Sequence, residues 1–335
     1  QIYSITYGVR NHSILYLIFI NNSGGFIMQN TQKIEPNLVK KRKRFNKLAL
    51  KEWISAYLFL APILIIFGYF VIYPMIKGIY ISFFDYSLRN FDFIGLGNYK
   101  SLLSDEIFIK SLVNTLVIVL GTVPVVIILS LFISLVIYKK NPFLRSLFRG
   151  IFYLPAVSSI VSITVVWGWI LHPNYGILNY ITGLFGAEPK TWLGDPKYAL
   201  ICIIVVLVTL SIGQPIILYV ASLGNIPTSY LEAAQIDGAT PWQVFTKITW
   251  PLLMPTTLYI VIISTINSFQ TFAIIQLLTS GGPAYSTSTI MYLVYERAFT
   301  LNKYGLASAM GVILAIIIMM ISIVQYKFFG EEVDY

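Results

Sequence analysis

The sequence predicts an all-α integral membrane protein with six transmembrane helices and both termini on the cytoplasmic side. Three observations carry that prediction. Charged residues make up only 11% of the 335 and hydrophobic ones 57%, with a mean hydropathy of +0.76. A soluble domain carries about a quarter charged residues, so lipid has to solvate much of this surface. Six intervals, 53–76, 111–138, 150–187, 198–231, 248–295 and 304–326, contain no Asp, Glu, Lys or Arg. Each exceeds the roughly 20 residues that cross a bilayer as helix. Finally, the basic residues cluster beside these intervals, as they do at membrane surfaces. A soluble enzyme, a disordered chain and a nucleic-acid binder are excluded, despite the net charge of +9. The lipid bilayer is the first partner of the chain.

Residues 1–27 read unlike the rest. The chain opens on Gln1, the next methionine is Met28, and the apolar stretch Ile14–Ile20 is too short to span. Gly24-Gly25 shortly before Met28 is what a translated ribosome-binding site looks like. Two readings stand open for 1–27: an untranslated leader, with Met28 as the start, or a mobile extension. Residues 28–52 form a basic cytoplasmic segment in which Lys40-Lys41-Arg42-Lys43-Arg44 acts as a retention charge and touches anionic lipid. Helices are then expected near 54–76, 111–138, 151–171, 199–222, 252–278 and 304–326, within a transmembrane domain covering 53–329. Thr279-Ser280-Gly281-Gly282-Pro283 and the polar run Ser286–Thr289 argue against a second span inside 248–295. Residues 330–335 are a short tail. Lys and Arg number 14 on the side of the termini and 8 on the other, which places the termini in the cytoplasm of a bacterial plasma membrane. Trp53, Trp192, Trp242 and Trp250 fall near the expected helix ends, where interface anchors sit.

Several chemistries lack their residues. No Gly-Lys dipeptide occurs, so there is no phosphate-cradling loop of the P-loop type. No zinc motif and no nucleophile elbow are present, and His172 stands alone in the apolar region. No catalytic residue, metal site or cofactor is expected. The single Cys202 precludes an internal disulfide. The intervals assigned to spans hold no carboxylate or base of the kind that carries protons in ion-coupled transporters.

The segment 224–251 is different. It reads as two short helices at an angle, with Ser229 and Glu232 fitting a capping box. Gly238 sits where a helix ends in a left-handed residue, and Thr240-Pro241 gives a cap with proline at the first helical position. Leu231, Ala234 and Ile236 give the first helix an apolar surface. Trp242, Phe245 and Ile248 do so for the second.

Glu232-Ala233-Ala234, Gly238, Ile248 and Pro251 stand at the spacing of the Glu-Ala-Ala, Gly, Ile-x-Leu-Pro coupling loop of ABC importer permeases. Trp250 replaces the usual Leu. The chain resembles the sugar branch of that family, the class of lactose, multiple-sugar and glycerol-phosphate permeases. Phe93–Tyr99, Asn114-Thr115, Leu154-Pro155, Asn179, Trp192–Gly194 and Thr279–Pro283 also look like family positions. The resemblance runs from about Trp53 to Phe329. It implies the type I importer permease fold, and docking of Glu232, Asp237 and their neighbours in a cleft of a cytoplasmic ATPase. Further implied partners are a second homologous permease, two ATPase subunits, an extracytoplasmic binding protein and a sugar substrate. Glu232 also has the simpler role of capping its own helix.

In the fifth span Ser264, Asn267, Ser268 and Thr271 recur at i, i+3, i+4 and i+7, one helix face. Gln270 and Gln276 lie near it. Two readings compete: interhelical hydrogen bonding, or the wall of a polar pocket, which the resemblance favours on this helix. The fourth span offers Gly213-Gln214-Pro215, where proline frees a carbonyl. The resemblance puts the other wall there. The expected function is a permease subunit of a binding-protein-dependent ABC importer of sugars. The alternatives are the same machine for glycerol phosphate or another polar solute, and a secondary transporter.

Overall fold

A computed structural model describes the backbone of residues 17–20, 26–29 and 47–329, and the side chains of 53–328. The tail 330–335, most of 1–27 and most of the basic segment 28–52 lie outside the described residues. The chain divides into two units, up to Phe67 and from Gly68. In the first, β1 (Leu17–Ile20) pairs antiparallel with β2 (Phe26–Gln29), and α1 covers Lys47–Phe67.

The second unit holds the helical bundle. A π-helical turn (Gly68–Ile72) leads into α2 (Tyr73–Ile81), and a small ribbon of β3 (Phe84–Tyr86) and β4 (Phe91–Phe93) follows. Next come α3 (Gly97–Leu103), α4 (Glu106–Tyr138), α5 (Pro142–Val157), α6 (Ile160–Ile170) and α7 (Ile177–Leu184). The chain continues through α8 (Pro196–Ser211), α9 (Gly213–Gly224), α10 (Thr228–Ile236), α11 (Pro241–Val244), α12 (Trp250–Phe269) and α13 (Ala273–Leu278). It closes with α14 (Ile290–Tyr295) and α15 (Tyr304–Phe329). Four helices are long and apolar enough to cross a membrane: Trp53–Ile81, Glu106–Tyr138, Pro241–Phe269 and Tyr304–Phe328. The bent pairs α5–α6 and α8–α9 bring the spans to six, as the charge-free intervals predict.

Helix starts follow from local chemistry. The Asp105 carboxylate accepts from the N–H groups of Ile107 (2.9 Å) and Phe108 (3.3 Å) at the head of α4. Asn141 and Asp195 cap α5 and α8, each with proline at the first helical position. Because successive spans alternate in direction, the bundle has two ends. The near end carries 139–141 and 225–249, and the far end carries 82–105, 171–195 and 279–303.

The main core cluster brings together Leu102, Phe108, Ile118, Ile203, Phe269, Ile275, Leu293 and Met310. A smaller one, Leu131, Tyr219, Leu223, Leu253 and Ile260, lies toward the near end. Many buried polar side chains are matched to partners, as helices in lipid require, although the Thr122 and Ser286 hydroxyls have none among the described residues. Asn114 donates to the carbonyls of Tyr285 (2.9 Å) and Ser288 (3.0 Å), and Ser111 donates to the Ser288 hydroxyl (2.9 Å). The Thr115 hydroxyl accepts the N–H of Ile290 (3.1 Å). Ser286–Thr289 is therefore a buried plug held by α4, and α14 is too short to span.

The structure moves three boundaries. The third span begins at Pro142 and breaks by 96° between Val157 and Ile160. The fifth span breaks after Phe269 and resumes at Ala273. The second loop helix is no separate element: α11 runs through a π-helical turn (Phe245–Thr249) into α12, giving one helix Pro241–Phe269. Trp250 and Pro251 accordingly lie inside a helix.

Candidate functional site

Two features stand out in the second unit: a largely apolar cavity carrying a cluster of amides and hydroxyls, and a hydrogen-bonded loop at the near end. The cavity holds about 400 Å³ and forms where three spans are broken. Ser158 and Ser159, both with extended backbone, separate α5 from α6, and Pro155, Ser158 and Ile160 line the cavity. At the 42° bend between α8 and α9, Pro215 has no N–H for the Ser211 carbonyl, and Ser211, Gln214 and Pro215 face the same space. The break after α12 adds Gln270, Thr271 and Phe272. Irregular backbone at membrane depth persists where it lines a cavity or is covered by protein, and these breaks do the former.

Of the residues singled out in the fifth span, Ser264, Asn267 and Thr271 line the cavity, and Gln270 joins them. Asn267 and Gln214 are exposed to it. The Thr271 hydroxyl points back to the Asn267 carbonyl at 3.4 Å, and the Thr271 carbonyl accepts from Thr289 at 3.0 Å. Ser268 is buried and off the cavity wall. Gly213 is also off the wall. A Cβ there would come within 2.4 Å of the Phe152 carbonyl oxygen and 3.0 Å of the Tyr153 Cα. Its lack of a side chain lets α9 lie against the backbone of α5. Pattern reading missed Ser158, whose only signal was Pro155 three residues earlier, and Ser211, one turn before Pro215.

The near-end loop is locked by backbone geometry. After α10, Gly238 adopts φ +71°, its N–H bonds to the Gln235 carbonyl (3.1 Å) and the Ala239 N–H bonds to the Ala234 carbonyl (2.9 Å). This is the double closure of a Schellman end. A capping box follows at once. Thr240 N–H donates to Gln243 Oε1 (2.8 Å), and Gln243 N–H donates to Thr240 Oγ1 (3.4 Å). The Ser229–Glu232 box does not form: α10 starts at Thr228 behind Pro227 and has no side-chain cap. Pro227 takes the N-cap position, two residues before Ser229, which carries Ser229 into the first turn and past the capping position. Glu232, Ala233, Asp237 and Gly238 are exposed, while Ala234 is buried. Ile236 is 86% and Trp242 71% exposed, so apolar side chains face outward on both sides of the corner. Phe245 lies between Trp242 (5.6 Å) and Trp250 (6.3 Å), joining the loop to the near-end core. Ile248 is half-buried, and Pro251 sits in the first turn of α12.

The described residues relate these two features through α12. Tyr219 donates to Thr257 (3.1 Å), Thr256 to Ser222 (2.9 Å) and Gln325 to Thr265 (2.8 Å), tying α12 to α9 and α15. The helix that leaves the loop is thus the helix that walls the cavity.

Comparison with known proteins agrees with this architecture. The chain is 35% identical over 286 residues to the multiple sugar-binding transport system permease protein MsmF of Streptococcus mutans, covering 84% of this chain and 96% of that protein. It is 32% identical to the sn-glycerol-3-phosphate transport system permease protein UgpA of Agrobacterium fabrum, over 84% and 97% of the two chains. Among solved structures, a chain of the bacterial alginate ABC transporter, crystallised with an alginate pentasaccharide-bound periplasmic protein, superposes with a TM-score of 0.73. That match is at 28% identity and covers 84% of this chain and 95% of the other. Residues 103–333 match the family described as the binding-protein-dependent transport system inner membrane component. The chain belongs to that family, and is accordingly a multi-pass inner-membrane component of a transport system and not an enzyme.

Proposed function

We propose that this chain is a sugar-translocating permease subunit of a type I ABC importer. The near end faces the cytoplasm, and the 225–249 loop docks on an ATPase subunit. A second homologous permease, two ATPase subunits and an extracytoplasmic sugar-binding protein complete the machine. The single observation that supports this most is the helix Pro241–Phe269, which carries the exposed Trp242 at one end and Asn267 on the cavity wall at the other.

ATP binding closes the two ATPases, and the loop seated between α10 and α11 moves with them. Because α11 and α12 are one helix, that motion tilts the wall formed by Ser264 and Asn267 against α9. The cavity then opens toward the far end, where the binding protein releases its sugar. ATP hydrolysis reverses the tilt and opens the cavity to the cytoplasm. Hydroxyls and amides at the helix breaks replace water around the sugar, each both donating and accepting.

The relatives named for multiple sugars, together with the alginate transporter, favour a saccharide. UgpA, named for glycerol 3-phosphate, favours a second reading in which the solute is an anionic polyol. The test is to co-express the chain with the neighbouring permease, ATPase and binding-protein genes and purify the assembly. Sugar uptake into proteoliposomes that needs both ATP and the binding protein is the expected result. Uptake driven by an ion gradient without ATPase subunits would overturn the proposal.

A further inference from the structure

The far end holds a second cavity that the sites above leave unused, and the inference drawn from it rests on the sugar-importer reading. It holds about 620 Å³ between α6, the far-end segment 171–194 and the last turn of α13. The two cavities follow one another along the same helices. Ile160 of α6 and Ala273 of α13 border the first, whereas Trp169 and Leu277 border the second. Ile160 and Trp169 are nine positions apart on α6, or about 14 Å of helix rise.

A buried amide builds the rim. Asn179 of α7 donates to the carbonyls of Pro173 (2.8 Å) and Lys190 (2.9 Å). It accepts from the Lys190 N–H (3.1 Å) and from Trp192 Nε1–H (2.8 Å). Asn179 thus pins both arms of the far-end segment and fixes Trp192 on the cavity wall. Gly176 closes the turn after α6, where a Cβ would collide with the His172 carbonyl oxygen. This turn stacks the Tyr175 ring on the His172 ring at 3.5 Å and 11°, with Trp169 at 5.1 Å from Tyr175. The amide is fully satisfied, yet the rings that it helps to frame stay open: Trp169 is 61% and Tyr175 60% exposed. His172 Nδ1 accepts the Asn174 N–H (3.2 Å), so the neutral ring carries its proton on Nε2 and can donate it.

Open aromatic faces with one directed donor suit a pyranose ring. Its C–H face packs on a π-surface while its hydroxyls take hydrogen bonds. Trp and Tyr also anchor proteins in the membrane interface, but an anchor needs neither a concave wall nor a clamped rim. We infer that Trp169, Tyr175 and His172 form an outer sugar site. A ring stacks there after leaving the binding protein and before entering the cavity at Asn267.

The test uses the complete assembly with its binding protein in proteoliposomes. Maltose, melibiose, raffinose, digalacturonate and glycerol 3-phosphate are supplied in turn, and uptake and ATP hydrolysis are measured on one sample. For a transported sugar, Trp169→Leu and Tyr175→Leu are expected to raise the ATP consumed per sugar imported about tenfold, because sugar released without a stacking face escapes outward. Binding-protein-stimulated hydrolysis itself should stay at the wild-type level, which a folding defect would not allow. Trp169→Phe and Tyr175→Phe keep a ring and should restore the wild-type ratio. If Trp169→Leu fails to assemble, Tyr175→Leu, in the far-end turn beyond α6, carries the test. An unchanged ratio in the Leu variants, whether uptake is normal or falls in step with hydrolysis, overturns the outer site and leaves the importer reading intact. A wild-type assembly that hydrolyses ATP but takes up none of the four sugars, or glycerol 3-phosphate alone, overturns the sugar reading itself.

Discussion

Trp242 and Asn267 lie 25 residues apart on one helix, Pro241–Phe269, which passes through the π-helical turn Phe245–Thr249. At 1.5 Å per residue they are separated by about 37 Å along its axis. One is exposed at the corner of the near-end loop, and the other borders the cavity. In the proposed mechanism, motion of the loop would reach the cavity without a chain of intermediate contacts, because one helix borders both.

Glu232→Ala is expected to leave the folded protein unchanged. Glu232 is exposed, and α10 has no side-chain cap for it to support. If the loop docks on an ATPase, binding-protein-stimulated ATP hydrolysis should fall by about tenfold or more, as for loss of a central interface residue. Gly238→Asp should do the same by forcing a side chain into the left-handed region at φ +71°. Amounts in the membrane, measured by immunoblot, should match wild type for Glu232→Ala. Full stimulation in both variants would remove the loop from the mechanism.

Asn267→Leu is expected to weaken sugar uptake with the complex intact. Among the described residues the Asn267 amide has no hydrogen-bond partner, and it faces the cavity. Its loss leaves a sugar hydroxyl unpaired, at about 1–3 kcal/mol, or roughly tenfold or more in affinity. Ser268→Ala, on the buried side, should leave uptake affinity unchanged. Concentration-dependent uptake in proteoliposomes, with subunit stoichiometry measured on the same sample, separates the two. Equal affinity in wild type and Asn267→Leu ends the claim that this wall touches solute.

Gly213→Ala should destabilise the bundle with no direct effect on solute contacts. The added Cβ meets the Phe152 carbonyl oxygen at 2.4 Å, so α9 must move off α5. Overpacking of this kind costs about 1–3 kcal/mol. A lower melting temperature of the detergent-solubilised protein is the expected readout, and an unchanged one would mean that the α5–α9 contact is absent in the membrane.

Orientation is testable with a single reactive thiol. In a Cys202→Ala background, Lys190→Cys at the far end should react with an impermeant maleimide from outside intact cells. Lys140→Cys at the near end should react only after permeabilisation. The motivation is the 14 to 8 distribution of Lys and Arg. Labelling of position 140 alone in intact cells would invert the topology.

The spans were legible in the sequence because lipid tolerates so few charges that uncharged intervals mark them directly. The breaks within them were less so. Pro215 announced the α8–α9 bend, but no proline or glycine lies at 158–159 or 270–272, and tertiary packing decides both. The polar face of the fifth span was only partly right for a geometric reason. At about 100° per residue, Ser264 and Asn267 bound an arc of about 60°, and Ser268 lies about 40° beyond its Ser264 edge, where it is buried; Thr271 lies past the end of α12 at Phe269. In the loop, Gly238 and Thr240 were readable because a left-handed residue and a cap-proline pair each have few alternatives. The Ser229 box was misread because Pro227 fixes the start of α10 first.

The back-to-back closure at Gly238 and Thr240 has a consequence for the kinetics of assembly. A flexible loop would lose conformational freedom on docking, which subtracts from affinity and lets the contact yield under load. Here the corner between α10 and α11 is set before any partner arrives by four hydrogen bonds, two between backbone groups and two from backbone N–H groups to side chains. Docking then resembles the meeting of two preformed shapes, and little of a partner's motion is dissipated in straightening the linker.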